Sequence, residues 1–213
     1  GVDSSDHEVN IKILLSSAIE QAELKSEDRN DLLASMTDDV ADHVLRHNYE
    51  QTRAISQMEY SAAQELDVHA RFMATLERMG RLDRVIEYLP DSEQIMALRQ
   101  QGAGLTRPEL SVLLAYAKLW LFDELVASNT PDDPLFENEL FAYFPEALHG
   151  YTKPIVAHPL RREIIATRLS NEIVDTCGVG FTQRAAETTG VEFSTVALAY
   201  EAVRRIYSLG DFA

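Results

Sequence analysis

One cysteine, one tryptophan, nine glycines and seven prolines in 213 residues exclude several kinds of protein at once. Cys177 alone cannot form an internal disulfide, so a reducing compartment, the cytoplasm, is expected. No apolar run approaches the roughly 20 residues that a membrane span needs. The first residues also lack the basic-then-apolar order of a secretion signal. Cations are the scarce charge: 19 Lys and Arg stand against 35 Asp and Glu, a formal net charge of −16. Nucleic acid and anionic membranes both want a basic face, so neither is an expected partner. No convincing strand, internal repeat or low-complexity tract appears. The "GVG" at 178–180 is too short for a phosphate loop and follows no strand, so no dinucleotide-binding fingerprint is present.

What is there is helical periodicity. Hydrophobic content of 46% and charged content of 25% suit an ordinary globular core. Ile11, Leu14, Leu15, Ala18, Ile19 and Ala22 form one apolar stripe at three- and four-residue spacing. Ser26 and Thr37 are in place to cap a short helix and then a long one. The long helix is predicted to start at residue 38 and reach 79, with a break near Leu66 and a stop at Gly80.

The clearest element is "GLTRPELSVLLAYAKLWLFDELVAS". Thr106 and Glu109 have capping-box spacing, and Pro108 sits in the first turn, where its missing N–H is harmless. Leu110, Leu113, Leu114, Ala117, Leu121 and Leu125 supply a broad apolar face that Trp120 widens, so this helix should be central. The proline-rich stretch near 129–134 is the best candidate seam between two helical halves. Beyond an irregular, aromatic-rich segment, a helix starts at Pro159 and is closed by Gly178. Shorter helices follow at 183–189 and 195–208. Counting caps and breakers predicts an all-α array of roughly nine or ten helices with no significant sheet.

Four constellations carry possible chemistry. Asp39, His43 and His47 lie at i, i+4 and i+8, which stacks them on one helix face as a usable metal set. The competing reading is a polar stripe beside a buried Val40 and Val44 stripe, and no fourth ligand is evident. Arg161 and Arg162 fall in a helix's first turn, against the dipole, so something must hold them. Acidic partners within the domain are favoured over an anionic ligand. "RAAETTGVEFSTVALAYEAVRR" has helix-turn-helix form, with a small residue at Ala186 and a turn at Gly190. Its second helix offers Glu192, Phe193, Leu198 and Glu201 where base readout wants Arg, Lys, Asn and Gln, so packing is favoured over DNA binding. Cys177, near Asp175 and a helix C-terminus, should have a raised pKa and little nucleophilic character.

The stretches "GVDSSDHEVNIKILL", "LLASMTDDVADHVLRHNYEQT", "GLTRPELSVLLAYAKL", "ASNTPDDP" and "HPLRREIIATRLSNEIV" resemble the C-terminal part of the large bacterial NAD-specific glutamate dehydrogenases. The resemblance spans most of the chain and implies an excised piece. Residues 1–25 would be the tail of a catalytic module with its first long helix, and 26–213 a C-terminal helical domain. The implied parent converts L-glutamate, NAD and water to 2-oxoglutarate, ammonia and NADH, with NAD bound outside this piece. Implied partners are the upstream catalytic module and, in the full enzyme, further copies of the same chain. Gly1, Val2, Ser5 and Glu8 match the family's late "GV-x-x-S-x-x-E" turn, which implies that Ser5, placed just before the first long helix, contacts the substrate side-chain carboxylate. No catalytic residue is expected here. The competing reading is a stand-alone regulatory module that binds a small anionic effector near Arg161 and Arg162.

Overall fold

Residues 2–209 are described by the computed structural model, and among them there is no strand. The expected all-α fold is observed, with eleven α-helices where nine or ten were counted. They are α1 (Val2–Glu20), α2 (Arg29–Ser35), α3 (Thr37–Tyr60), α4 (Leu66–Arg78), α5 (Ser92–Gln100), α6 (Arg107–Ala127), α7 (Glu137–Tyr143), α8 (Thr152–Val156), α9 (Arg161–Cys177), α10 (Phe181–Thr189) and α11 (Phe193–Ile206).

Helix α6 is the axis of the molecule. Leu110, Leu113, Leu114, Ala117, Trp120, Leu121 and Leu125 are all buried. Burying each leucine is worth roughly 1.5–3 kcal/mol. Glu109 closes the N-terminus by accepting from both the N–H (2.6 Å) and the hydroxyl (2.7 Å) of Thr106. Two arginines fix the direction of its neighbours. Arg107, at the start of α6, reaches Glu59 (2.9 Å) and Ser56 (3.0 Å) near the end of α3. Arg162, at the start of α9, donates to the carbonyls of Val126 (3.0 Å) and Ser128 (2.6 Å) at the end of α6. Thus α6 runs antiparallel to α3 and α9. Midway, Lys118 Nζ and Asp175 Oδ2 form a buried ion pair at 2.8 Å.

Several local expectations change. The stripe of α1 holds through Ile11, Leu14, Leu15 and Ala18, but Ala22 is exposed and left-handed (φ 58°), because the helix stops at Glu20. Neither Ser26 nor Thr37 caps a helix: Asp28 precedes α2, and the Thr37 hydroxyl donates back to the Ala34 carbonyl (3.1 Å). The long helix breaks between Tyr60 and Leu66, as the sequence allowed. At that break Gly104 lies against the backbone of Ala62, and a Cβ on residue 104 would sit 2.2 Å from the Ala62 carbonyl carbon. Gly80 (φ 67°) ends α4 in a Schellman turn, with Arg81 N–H on the Leu76 carbonyl (2.9 Å) and Gly80 N–H on that of Glu77 (2.9 Å).

The 129–134 stretch forms a 3₁₀ turn, Thr130–Asp132, whose Asp132 pairs with Arg162 of α9. Buried residues from both sides of it, such as Phe72 and Leu169, belong to one hydrophobic cluster.

Gly104→Ala should destabilise the chain by roughly 1–3 kcal/mol, since backbone faces backbone there and must separate. Urea denaturation of both forms measures it, and equal midpoints would show that the close approach is not a constraint.

Candidate functional site

The most polar concavity is a cleft of about 370 Å³ walled by the start of α1, by α3, by the end of α7 and by α9, with Arg204 of α11 at its rim. Helical spacing on α3 brings His43, Arg46, His47 and Glu50 to it, and α9 answers with Thr167, Arg168 and Asn171.

Its floor is a hydrogen-bonded junction. The Tyr143 hydroxyl donates to Asp6 Oδ2 (2.7 Å) and accepts from Asn10 Nδ2 (2.8 Å), which also reaches Asp6 Oδ1 (3.2 Å). The His7 ring stacks on Tyr143, with centroids 4.4 Å apart and planes 17° apart, and lies 5.5 Å from the His43 ring. Asn10 is buried, and its carbonyl accepts from His158 Nε2 (3.2 Å). His158 Nδ1 accepts from the Leu160 N–H (3.2 Å). These roles fix His158 as the neutral Nε2–H tautomer. Burial lowers its pKa, opposed by the Asn10 hydrogen bond and by Glu163. Burial and then Arg168 likewise hold His43 low, against Asp39 and the Tyr143 backbone.

Three arginines and three glutamates balance one another beside the cleft. Arg168 holds Glu139 (3.0 Å), and Arg204 reaches Glu201 (3.3 Å), Glu172 (3.4 Å) and Glu139 (3.7 Å). Arg205 holds Glu201 at 2.6 Å, and Glu201 is almost wholly buried.

The predicted site residues fall as follows. Ser5 is inside α1, not ahead of it, on an exposed part of the first turn; Asp6 and His7 line the cleft beside it. The acid-rich start favours helix at once, and Asp6 is engaged with Tyr143 and Asn10, so it is no cap. Gly1 of the matched turn lies outside the described residues. His43 and His47 share the cleft, whereas Asp39 does not line it. Among the described residues no group of three or more His, Cys, Asp and Glu converges to hold a metal.

Arg161 and Arg162 part company. Arg162 has the expected acid, Asp132, plus two carbonyls at the end of α6. The buried Nε of Arg161 has no hydrogen-bond partner among the described residues. The two side chains therefore do not share one set of partners, since neighbours one residue apart diverge on a helix.

The Cys177 thiol is pushed up to about 11, first by burial and then by Glu172. Asp175, the expected cause, is not among those that act. In the helix-turn-helix segment, Phe193 meets the Trp120 ring edge-on at 4.3 Å, while Val196, Ala197 and Glu201 are buried. Sequence reasoning missed Tyr143, Arg168, Arg204 and the three glutamates. Glu201 meets Arg204 and Arg205 three and four positions on, but Arg168 with Glu139 and Tyr143 with Asp6 pair across 29 and 137 positions, which no spacing rule spans.

Among the described residues there is no strand–glycine–helix unit of the kind that holds a dinucleotide. Two G-x-G turns occur, at 102–104 and 178–180, and each follows a helix. Their second glycines are already occupied: Gly104 against Ala62, and Gly180 against Val68, whose Cγ1 would lie 2.2 Å from a Cβ.

The fold is thus an all-α domain whose polar groups largely satisfy one another. A family described as "Glutamate dehydrogenase, C-terminal" matches residues 102–213, and the chain belongs to that family. Residues 1–58 match "Bacterial NAD-glutamate dehydrogenase, catalytic domain". The chain is 41% identical to the NAD-specific glutamate dehydrogenases of Halomonas elongata and Pseudomonas aeruginosa over 210 residues, 98% of its length. It is also 41% identical to that of Mycobacterium tuberculosis over 211 residues, 99% of its length. It spans 13% of the length of each of these relatives. No solved structure matches the chain.

Three histidines, the half-buried His43 and the buried His69 and His158, set a pH dependence. His43, His69 and His158 all have lowered pKa values, chiefly from burial. Each lowered group contributes stability that is complete above the unfolded value of about 6.5 and is lost as pH falls through the folded value. Tm should therefore decline between about pH 7 and pH 5. His158→Gln, which cannot take up that proton, should show a shallower decline; parallel profiles would show that His158 does not contribute.

Proposed function

We propose that the chain is the C-terminal helical part of an enzyme that oxidises L-glutamate with NAD and water to 2-oxoglutarate, ammonia and NADH. Its own role is structural: it supports the catalytic module and offers contact surface within a homo-oligomer. The observation that carries this reading is 41% identity over 98% of the chain to NAD-specific glutamate dehydrogenases. A second observation supports the division of labour. The described residues supply no strand–glycine–helix unit, which a dinucleotide pyrophosphate requires, so NAD would be held elsewhere in the enzyme. Val85, Ile86 and Tyr88, exposed at 85%, 70% and 90%, form an apolar ridge suited to contact with the rest of the enzyme.

Purified alone, the chain should form no NADH from glutamate and NAD. Absorbance at the NADH band decides this, and glutamate-dependent turnover by the chain alone would overturn the division of labour.

Ser5 is the one substrate contact in this reading. Its place in the first turn of α1 suits it, because free N–H groups and the positive dipole end favour a carboxylate there. In the complete enzyme, Ser5→Ala removes one hydrogen bond to a charged group, worth roughly 1.5–3 kcal/mol. The expected loss is roughly 10- to 150-fold in kcat/KM for glutamate, with NAD affinity nearly unchanged. Unchanged kcat/KM would remove Ser5 from the site.

A further inference from the structure

Two buried titratable side chains away from the polar cleft each keep a polar atom with no hydrogen-bond partner. They are His69, 3% exposed, through Nδ1, and Asp175, 5% exposed, through Oδ1. Both residues line one cavity of about 190 Å³, where the second half of α3, the start of α4, the end of α9 and the first turn of α10 meet. Unmade hydrogen bonds in a protein interior are costly, and two in one cavity call for a common partner.

The cavity is rich in acceptors. Asp175 Oδ2 is taken by Lys118, which leaves Oδ1. Burial lowers the His69 pKa, so the ring is neutral at pH 7 and carries a lone pair on one nitrogen. Helix α9 ends at this wall, and its last-turn carbonyls carry the negative end of the dipole. Arg184, the one cation in the lining, is held by Glu65 at 2.7 Å. Lys118 already balances the Asp175 charge, so what the cavity calls for is N–H donors, and an anion, which has none to offer, does not fit it.

Size and wall chemistry narrow the class. The volume is about six times the roughly 30 Å³ of one liquid water, and well short of the roughly 300 Å³ at which drug-sized pockets begin. Met58, Val68 and Val174 give the cavity an apolar side. The convergence needed for a metal is missing among the described residues, whereas N–H donors need no fixed coordination number. We propose that this cavity binds a small primary ammonium group, whose N–H donors meet Asp175 Oδ1 and His69 Nδ1 while a short alkyl part lies on the apolar wall. This site is independent of the enzymatic reading above.

Thermal denaturation of the chain in ethylammonium, ammonium, tetramethylammonium and sodium chlorides at equal ionic strength tests it. Ethylammonium should raise Tm by about 3–6 °C at tenfold its Kd. Tetramethylammonium, which has no N–H, should match sodium. A response to ammonium equal to that of ethylammonium would assign the site to the inorganic ion with the same chemistry. Asp175→Asn should abolish the response. Since that change also disturbs the Lys118 pair, His69→Phe, which keeps a ring and loses both nitrogens, is measured alongside and should weaken binding roughly tenfold. The proposal fails if all salts act alike, if none acts, or if His69→Phe binds as the parent does.

Discussion

A helix that is apolar on nearly every side has to be enclosed, and α6 imposes that constraint on the whole chain. Its buried residues point in several directions, from Leu110 through Trp120 to Leu125. One neighbour would leave half of that surface wet. Helices α3, α9 and α11 and the 3₁₀ turn at Thr130–Asp132 all pack on it, and Trp120 alone touches Phe72 of α4 and Phe193 of α11. The direction of the neighbours is then set by polar groups, because apolar contact is non-directional. Arg107, Lys118 and Arg162, spaced along α6 and α9, fix which ends meet. A buried pair such as Lys118 and Asp175 contributes little net stability, yet a slipped register would leave both charges buried alone.

The excess of acid is handled in two ways. Much of it is solvated, and exposed pairs such as Arg71 with Glu187 are worth at most about 1 kcal/mol. The rest is concentrated where cations exist. Glu139, Glu172 and Glu201 come from three different helices and share Arg168, Arg204 and Arg205. This cluster ties α7, α9 and α11 together and leaves the neighbouring cleft nearly neutral. A cleft balanced in this way has no strong pull on a small anion.

Periodicity and end signals made α6, α9 and the α10–α11 pair legible, because those signals are local. The Thr106 and Glu109 box works as spaced. Asp91 and Gln94 form a full box at the start of α5, with both bonds at 2.8 Å, and could have been read by the same rule. Thr37 misled because a hydroxyl has two uses, and the carbonyl of the preceding helix was nearer. Ser5, expected just before the first long helix, lies inside it, because acids at a helix start favour helix from the first residues. The cleft was illegible for a different reason. Its floor joins Asp6 to Tyr143, 137 residues apart, and no spacing rule spans that distance. His43 and His47 were singled out for their spacing, and they do share a wall, but among the described residues the acids and His7 that line the same cleft do not converge with them to hold a metal.

The two family descriptions that match this chain meet inside one core. Residues 1–58 carry α1, α2 and nearly all of α3, while 102–213 hold all of α6 and the described elements after it. Yet Ile11, Ala54, Leu113 and Leu169 lie in a single hydrophobic cluster. Helix α3 packs on both α6 and α9, so it cannot be withdrawn without opening the face of each. Helix α1 is held by groups of another kind: Asp6 and Asn10 on Tyr143, and the Asn10 carbonyl on His158. Those bonds are directional, and each sits where water would have to replace it. A displacement of α1 therefore breaks several buried hydrogen bonds together, whereas a sliding motion along a purely apolar seam would break none. Helix α1 is thereby tied to α7 and to the turn that leads into α9 through groups that are polar and largely buried.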